Sequence, residues 1–210
     1  MGTAERRDRE RQEMQTLILD AARDLFATEG YEAVTMRKIA EKIEYSATAI
    51  YFHFKDKLSL LRALCDRDFA AFAAVLQRTA SVKDPVERLR RLGYAYVDFA
   101  LQYPNHYRFL FMTEHPPLAS EESAIQKGDP DQDAYALLRA TVVEAIASGR
   151  LRSDLRDPDF VSQLAWGAAS GVVGLHNVKC DNSWIEWRPP QKVARKLIDL
   201  ALDGMLRKDG

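Results

Sequence analysis

The stretch from Tyr45 to Lys57 carries side chains that could contact a nucleic acid. No acidic residue occurs between Tyr45 and Lys55, so nothing in that segment repels phosphate. Small residues occupy positions 47–49, and large, partly polar residues follow at 51–53. Small side chains at the start of a helix let it approach base edges in the major groove. Lys55 and Lys57 could then fix its register through phosphate contacts. The spacing therefore predicts a DNA-reading helix.

Two short helices joined by a tight turn are predicted to position this segment. Thr35 and Ser46 can cap the two helices, because a hydroxyl oxygen accepts a hydrogen bond from a free backbone N–H group at a helix start. Glu44 lies in the turn between them. Apolar residues follow Thr35 at helical spacing, namely Met36, Ile39, Ala40 and Ile43. The pattern indicates a helix-turn-helix over residues 35–54.

Further helices are predicted on both sides of this motif. An apolar stripe predicts a helix over 14–28 that ends near Gly30 and packs on the two short helices. Asp56 can cap a long helix that continues to about residue 80. That helix either carries movement from a distant core or simply connects two domains, and the sequence favours neither. The arginines within 1–11 alternate with acids, which is typical of a solvated arm or of one that touches DNA.

In these features the chain resembles the TetR family of bacterial transcription regulators. The family pattern runs through G-[FY]-x-x-[TV]-T, x-x-I-A, S-x-x-x-[LI]-Y-x-H-F and x-x-K-x-x-L, and residues 12–72 follow it in order and spacing. The matching residues are Leu25, Phe26, Gly30, Tyr31, Val34, Thr35, Ile39, Ala40, Ser46, Ile50, Tyr51, His53, Phe54, Lys57 and Leu60. The likeness implies a three-helix DNA-binding domain followed by a larger helical domain.

The resemblance also implies which side chains meet DNA. Tyr51 and Lys57 are expected to anchor phosphates, with assistance from Thr35 and His53. Ala47, Thr48 and Phe52 are expected to face bases, with Arg37 close to the groove. The full expected set is Thr35, Arg37, Ser46, Ala47, Thr48, Tyr51, Phe52, His53, Lys55 and Lys57.

The chain departs from the family pattern at two places within the motif. Glu44 stands where the family usually has glycine, and a residue other than glycine at positive φ costs about 1 kcal/mol. Thr48 and Ala49 stand where the family often has glycine and then threonine. Because these positions lie on the reading helix, the resemblance implies no operator sequence.

The C-terminal part is expected to be helical and to bind a small molecule. Helices are predicted over about 84–103, 134–148, 158–178 and 192–206, with a short aromatic one after Pro104. The aromatic string resembles one branch of the family that also carries Trp-x-x-x-His-Gly, where this chain has Trp166 but Ser170 in place of the histidine. The resemblance to this branch implies a small-molecule pocket lined by aromatic residues. For each of these residues, ordinary packing in the hydrophobic core is the alternative. The candidate pocket residues are Tyr96, Phe99, Tyr103, Tyr107, Phe111, Trp166 and His176.

Glycines in the predicted 158–178 helix indicate a close packing partner. Glycine costs roughly 1 kcal/mol in a helix interior, so another helix of this chain or of a second copy should compensate. By resemblance the partner is a second copy, because two reading helices one DNA turn apart match a palindromic operator. The candidate dimer residues are Gly167, Gly171, Gly174, Leu197, Leu200 and Ala201.

Composition constrains the other function classes. The 210 residues have a net charge of −1, so the DNA interpretation rests on local arrangement. Cys65 and Cys180 form no CxxC, and the histidines lack metal-ligand spacing. No metal or other cofactor is therefore expected. An enzyme is disfavoured because no nucleophile or phosphate-loop motif occurs. Cys180 is interpreted as an ordinary thiol, and a reactive thiol is the less favoured alternative. Neither a signal peptide nor a membrane span is evident, which predicts a cytoplasmic protein.

These observations predict an all-α, ligand-responsive, homodimeric transcription regulator, interpreted as a repressor released from double-stranded operator DNA by a small-molecule effector. The expected division is an arm at 1–11, a DNA-binding domain at 12–57, a connecting helix at 58–80 and a regulatory and dimerisation domain at 81–210. The alternative is an all-α interaction or small-molecule-binding protein without DNA binding.

Overall fold

The computed structural model describes residues 3–118, 123–180 and 183–207, and these are helical with connecting loops. The helices are α1 (Thr3–Glu29), α2 (Met36–Lys42), α3 (Ala47–His53), α4 (Lys57–Gln77), α5 (Pro85–Gln102), α6 (Pro104–Met112), α7 (Ala134–Ala147), α8 (Pro158–Lys179) and α9 (Pro190–Met205). The predicted all-α class is confirmed. Among the described residues no helix is long and apolar enough to span a bilayer.

Helix α1 is longer than the apolar pattern predicted. The pattern placed its start near residue 14, whereas the helix begins at Thr3 and takes in the described part of the 1–11 arm; residues 1 and 2 lie outside the described ones. Ion pairs one turn apart join Arg6 to Glu10 and Arg9 to Glu13. Such pairs stabilise these exposed first turns of the helix. Because the turns have no buried face, hydrophobic periodicity alone does not predict them.

The predicted caps are confirmed. The Thr35 hydroxyl accepts from the Lys38 backbone N–H at 3.2 Å, and the Ser46 hydroxyl accepts from the Ala49 N–H at 3.2 Å. Asp56 accepts from the Ser59 N–H at 2.7 Å, while the Ser59 hydroxyl accepts from the Asp56 N–H at 3.1 Å. These reciprocal bonds form a capping box at the start of α4. Each helix boundary around the motif is thus set by side chains within a few residues of it.

The chain forms two compact units. The first comprises the described residues of Met1–Asp68 and Asn105–Ala124, and the second those of Phe69–Pro104 and Ile125–Gly210. The sequence pattern placed all of 105–124 in the regulatory domain. In the structure Phe109 is fully buried and stacks on Phe26 of α1 with ring centroids 6.1 Å apart. This aromatic contact ties most of α6 into the first unit.

A buried ion pair crosses the core of the first unit. Arg23 on α1 is 6% exposed and Asp68 on α4 is 1% exposed. The Arg23 guanidinium donates to both Asp68 carboxylate oxygens, at 2.5 and 2.9 Å. Burial opposes the charge of Arg23, but the hydrogen bond and charge of Asp68 outweigh it and leave the pKa of Arg23 raised. Two-point contact of this kind fixes α4 against α1.

The second unit packs α5 closely against α9. A Cβ atom placed on Gly93 would lie 3.1 Å from two side-chain atoms of Ile198, which is tighter than ordinary van der Waals contact. A glycine at this position therefore permits the two helices to approach. Nearby, the Tyr94 hydroxyl donates to Asp199 at 2.6 Å, and Arg90 pairs with the same carboxylate. Gly93 was not among the residues predicted to pack closely, although a glycine within an amphipathic helix is a signal of close packing.

Candidate nucleic-acid interface

Helix α3 presents large side chains to solvent. Tyr51 is 53% exposed and Phe52 is 77% exposed, an arrangement that costs hydration free energy unless a partner covers the rings. Thr48 is also exposed and Ala47 is half-buried, whereas Ile50 is fully buried in the first unit. The burial of Ile50 orients the helix. As a result, the predicted base-facing residues Thr48 and Phe52 point away from the core.

Lys57 makes contacts within the protein that were not predicted from the sequence. Its ammonium group donates to the Tyr31 and Val34 carbonyl oxygens, each at 3.0 Å, and lies 4.0 Å from the centre of the Tyr31 ring. These contacts join the start of α4 to the connection between α1 and α2. An ammonium has three N–H groups. Two of those of Lys57 are therefore engaged within the protein, and Lys55 is the more exposed cation of the pair.

His53 lies in the last turn of α3 and is half-buried. Burial, and after it the charge of Arg11, lowers the pKa of the imidazole. A histidine with a lowered pKa is neutral at pH 7 and has one N–H group to donate. His53 can accordingly assist a phosphate contact as a neutral hydrogen-bond donor, not as a cation.

The remaining predicted DNA contacts surround the two short helices. Thr35 and Ser46 are exposed, and their hydroxyl oxygens accept the capping bonds, which leaves each hydroxyl proton available to donate outward. Arg37 is exposed on α2 and its Nε group donates to Glu41 at 2.8 Å. An exposed pair of this kind contributes little stability, so a phosphate could displace the carboxylate.

Glu44 adopts the left-handed conformation that the turn requires. Its φ is +61°, and among the described residues it is the one non-glycine residue with positive φ. The cost anticipated for a side chain at this position therefore applies.

We expect Glu44→Gly to stabilise the protein by about 0.5–1 kcal/mol, because relief of the left-handed strain exceeds the extra chain entropy that glycine loses on folding. Urea denaturation followed by circular dichroism measures the change. Glu44→Ala is the matched control, since it removes the same carboxylate and keeps the Cβ atom. Equal stabilisation by both variants would attribute the effect to charge and contradict the strain explanation.

The predicted pocket residues are divided between the two units. In the second unit the Tyr96 hydroxyl lies 2.9 Å from the Ser170 hydroxyl and accepts from the Trp166 indole N–H at 3.3 Å. Tyr96 and Phe99 are buried, and Tyr103 and Trp166 are each 40% exposed. Ring contacts that involve Phe72 and Tyr135, which the sequence analysis did not identify, extend this cluster.

The other three candidate pocket residues are His176, Tyr107 and Phe111. His176 is half-buried and its ring centre lies 6.4 Å from that of Trp187. Tyr107 and Phe111 belong to the first unit, where their ring centres are 5.3 Å apart.

The predicted dimer residues lie on exposed apolar faces of α8 and α9. Exposed residues recur at helical spacing along α8, namely Phe160, Leu164, Gly167, Gly171, Leu175 and Val178. A Cβ atom on Gly167 or Gly171 would have no neighbour within 4 Å in the described part of the chain. The close partner expected for these two glycines is therefore absent from those residues. Gly174 and Ala201 are half-buried at the edge of this surface.

On α9 the residues Val193, Leu197 and Leu200 are 38–56% exposed, while the opposite face packs into the second unit. Helix α9 is thus apolar on two faces, and only one of them is covered by the described residues.

Comparison with known proteins places both units in one family. Residues 18–64 match the model described as "Bacterial regulatory proteins, tetR family", and residues 89–200 match "Tetracyclin repressor-like, C-terminal domain". The second match alone covers more than half of the chain. The Trp-x-x-x-His-Gly motif of one branch is absent from this sequence.

Individual relatives agree with these matches. The HTH-type transcriptional repressor AcnR of Corynebacterium efficiens is 30% identical over 173 residues, 73% of this chain and 82% of that protein. AcnR of Corynebacterium diphtheriae is 41% identical over 66 residues, 31% of this chain, so the chain spans only 35% of that relative. The solved ketosteroid transcriptional regulator KstR2 of Mycobacterium tuberculosis shares the fold, with a TM-score of 0.71, 21% identity and coverage of 93% and 96% of the two chains.

Proposed function

The chain belongs to the TetR family of bacterial regulatory proteins, and from this premise we propose that it is a homodimeric transcriptional repressor of the bacterial cytoplasm, which binds a palindromic operator and is released by a small molecule. The observation that carries the DNA-binding part is the outward face of α3, where Tyr51 and Phe52 are solvent-exposed beside Lys55. Relatives that are named as repressors support the direction of regulation. Residues 12–57 would read DNA, 58–80 would connect, and 81–210 would sense the effector and dimerise.

The exposed faces of α8 and α9 support the homodimer. A monomer would leave Leu175, Val178 and Leu200 more than half exposed. Covering such side chains with a second copy removes them from water and also gives Gly167 and Gly171 a close neighbour. A two-fold dimer presents two α3 helices, which suits a palindrome whose half-sites lie about one DNA turn apart.

The Tyr96 cluster supports effector binding in the second unit. Aromatic rings that surround a few polar groups, here the Tyr96 and Ser170 hydroxyls and the Trp166 indole, are typical of small-molecule sites. An effector that binds one dimer geometry more tightly than the other would shift the population away from the DNA-binding state. Trp166 offers a fluorescence readout, because its indole N–H bond to Tyr96 changes when a ligand enters the cluster.

Selection of bound duplexes from a random DNA pool, followed by affinity measurements against salt, tests the proposal. We expect a palindromic consensus and a steep fall of affinity with salt, since phosphate contacts release counterions. Absence of enrichment at low and high salt would contradict DNA binding and would favour an all-α small-molecule-binding protein.

Two neighbouring lysines separate DNA contact from folding. We expect Lys55→Ala to leave stability unchanged and to make the slope of log K against log salt shallower by about 1.8 for a dimer, about 0.9 for each phosphate contact. Lys57→Ala should also weaken binding, and it should cost about 1–3 kcal/mol of stability because two carbonyl groups lose their donor. Denaturant unfolding and salt titration of the selected duplex measure both. Unchanged stability in Lys57→Ala would show that its carbonyl contacts contribute nothing to folding.

A further inference from the structure

The connection between α8 and α9 carries two tryptophans in contrasting environments. Trp184 is 95% exposed, and the neighbouring Ile185 is 46% exposed. Trp187 is half-buried, and its ring meets the His176 ring of α8 edge-on, with the ring centres 6.4 Å apart. The Trp187 ring thus ties the connection to α8, whereas the Trp184 ring stands in water. An exposed tryptophan leaves a large apolar area hydrated, which favours a partner that covers it.

We call residues 183–189 the Trp184 loop, and its end next to α9 is restricted in conformation. Pro189 caps α9 with φ −50°, and Pro190 follows it as the first residue of the helix. Proline fixes its own φ and also restricts the residue before it, so two successive prolines stiffen the chain. A segment that is ordered beforehand loses less conformational entropy on binding. The Trp184 loop is therefore suited to present its exposed ring to a partner.

The Trp184 loop joins the two helices whose apolar faces are left uncovered by the described residues. Helices α8 and α9 pack on each other, and the loop links the end of one to the start of the other. Val178 in the last turn of α8 is 59% exposed, and Val193 in the first turn of α9 is 40% exposed. Trp184 and Ile185 add exposed apolar area between these two valines along the chain. A partner that covers both helices at this end would therefore also meet the loop.

The charge of the Trp184 loop suits an apolar protein surface better than an anionic one. Glu186 and Arg188 pair within the loop at 2.8 Å, and their charges cancel. DNA and anionic lipid surfaces are bound through cations that no carboxylate neutralises. Tryptophan is instead enriched at the centres of protein interfaces, where charged side chains are few. The uncovered faces of α8 and α9 in a second copy offer a surface of this kind.

We propose that the Trp184 loop packs on the second copy of the chain, with Trp184 as an aromatic anchor against that copy's exposed α8 and α9 faces. The inference rests on the proposed homodimer and extends it, because Trp184 belongs to neither helix. A two-fold interface contains every contact twice, so the two tryptophans supply two anchors to one dimer.

A protein with one tryptophan reports the environment of the loop. Trp166→Phe/Trp187→Phe leaves Trp184 as the single tryptophan and keeps an aromatic ring beside His176. As protein concentration rises through the dimer dissociation constant, we expect its emission to move to shorter wavelength and its quenching by acrylamide to fall, because the indole leaves water. Leu200→Glu in the same background supplies the monomer, whose emission should keep the long wavelength of an exposed indole.

Removal of the Trp184 ring measures its share of the interface. We expect Trp184→Ala to raise the dimer dissociation constant by about 10²–10³-fold, that is about 10–30-fold for each of two aromatic anchors. Trp184→Phe should lose less, because it keeps a ring. Glu186→Ala is the control, since it removes an exposed side chain of the same loop that is charged, not apolar. Sedimentation velocity measures the dissociation constants, and circular dichroism checks that each variant stays folded.

The possible outcomes separate the loop contact from the dimer itself. A dimer in which acrylamide quenches Trp184 as strongly as in the Leu200→Glu monomer, or which Trp184→Ala leaves as tight as the wild type, would overturn the loop contact and leave the homodimer in place. An emission shift caused by phosphatidylserine vesicles and not by protein concentration would assign the loop to a membrane surface and overturn the second copy as its partner. A wild-type protein that stays monomeric at every concentration would overturn both the loop contact and the homodimer.

Discussion

Asp68→Ala is expected to destabilise the protein by about 3 kcal/mol or more. The substitution leaves the Arg23 guanidinium, itself 6% exposed, without its main carboxylate partner inside the first unit. Removal of one member of a buried ion pair typically costs about 3–5 kcal/mol, because the remaining charge stays desolvated. Asp20 also accepts from Arg23, at 3.0 Å, and can offset part of the loss. Guanidinium chloride unfolding at a fixed protein concentration measures the change.

Two further variants separate the ion pair from its surroundings. Asp20→Ala removes the exposed partner of the same guanidinium, and we expect it to cost less than about 1 kcal/mol. The double variant Arg23→Met/Asp68→Leu replaces both charges with apolar groups, and it should recover most of the stability lost in Asp68→Ala. A loss below about 1 kcal/mol in Asp68→Ala itself would argue that the pair is hydrated and contributes little.

Leu200→Glu is expected to raise the dimer dissociation constant by about 10²–10⁴-fold. Burial of a leucine side chain contributes about 1.5–3 kcal/mol, and a two-fold interface contains the substitution twice, so at least about 3–6 kcal/mol is lost. Leu200 is 56% exposed on α9, so the change should leave the folded monomer intact. Sedimentation velocity over a range of concentrations measures the dissociation constant. Affinity for the palindromic duplex should fall in parallel, because a monomer contacts one half-site.

Val143→Glu is the matched control for this prediction. Val143 is 42% exposed and belongs to α7, so it is not one of the apolar residues of α8 and α9 that form the proposed interface, and the same change of residue type should leave dimerisation unaltered. If Leu200→Glu dimerises as tightly as Val143→Glu, the second copy does not cover α9, and the proposed interface is wrong.

The local features of the DNA-binding motif were predictable from the sequence. Thr35, Ser46 and Asp56 cap the helices that were expected of them, and Glu44 occupies the left-handed turn where the family has glycine. Each of these features depends on backbone groups within three or four residues. A short stretch of sequence therefore contains all the atoms that decide it.

Other features depend on segments that are far apart in the chain. Asp68 and Arg23 are separated by 45 positions, and neither residue type by itself predicts a buried partner. The contact of Phe109 with Phe26, which joins most of α6 to the first unit, spans an even longer stretch of sequence. Lys57 was expected at a phosphate, but the structure shows that it also holds the Tyr31 and Val34 carbonyls.

The sequence by itself determined the all-α class, the helix-turn-helix and its caps, and the apolar repeats of α8 and α9, because helical periodicity and capping act over one or two turns. Only the tertiary structure decided which of those apolar repeats stay uncovered and which charges pair in the core. These properties follow from how the helices pack: burial and ion pairing depend on distances between side chains that the order of residues does not specify.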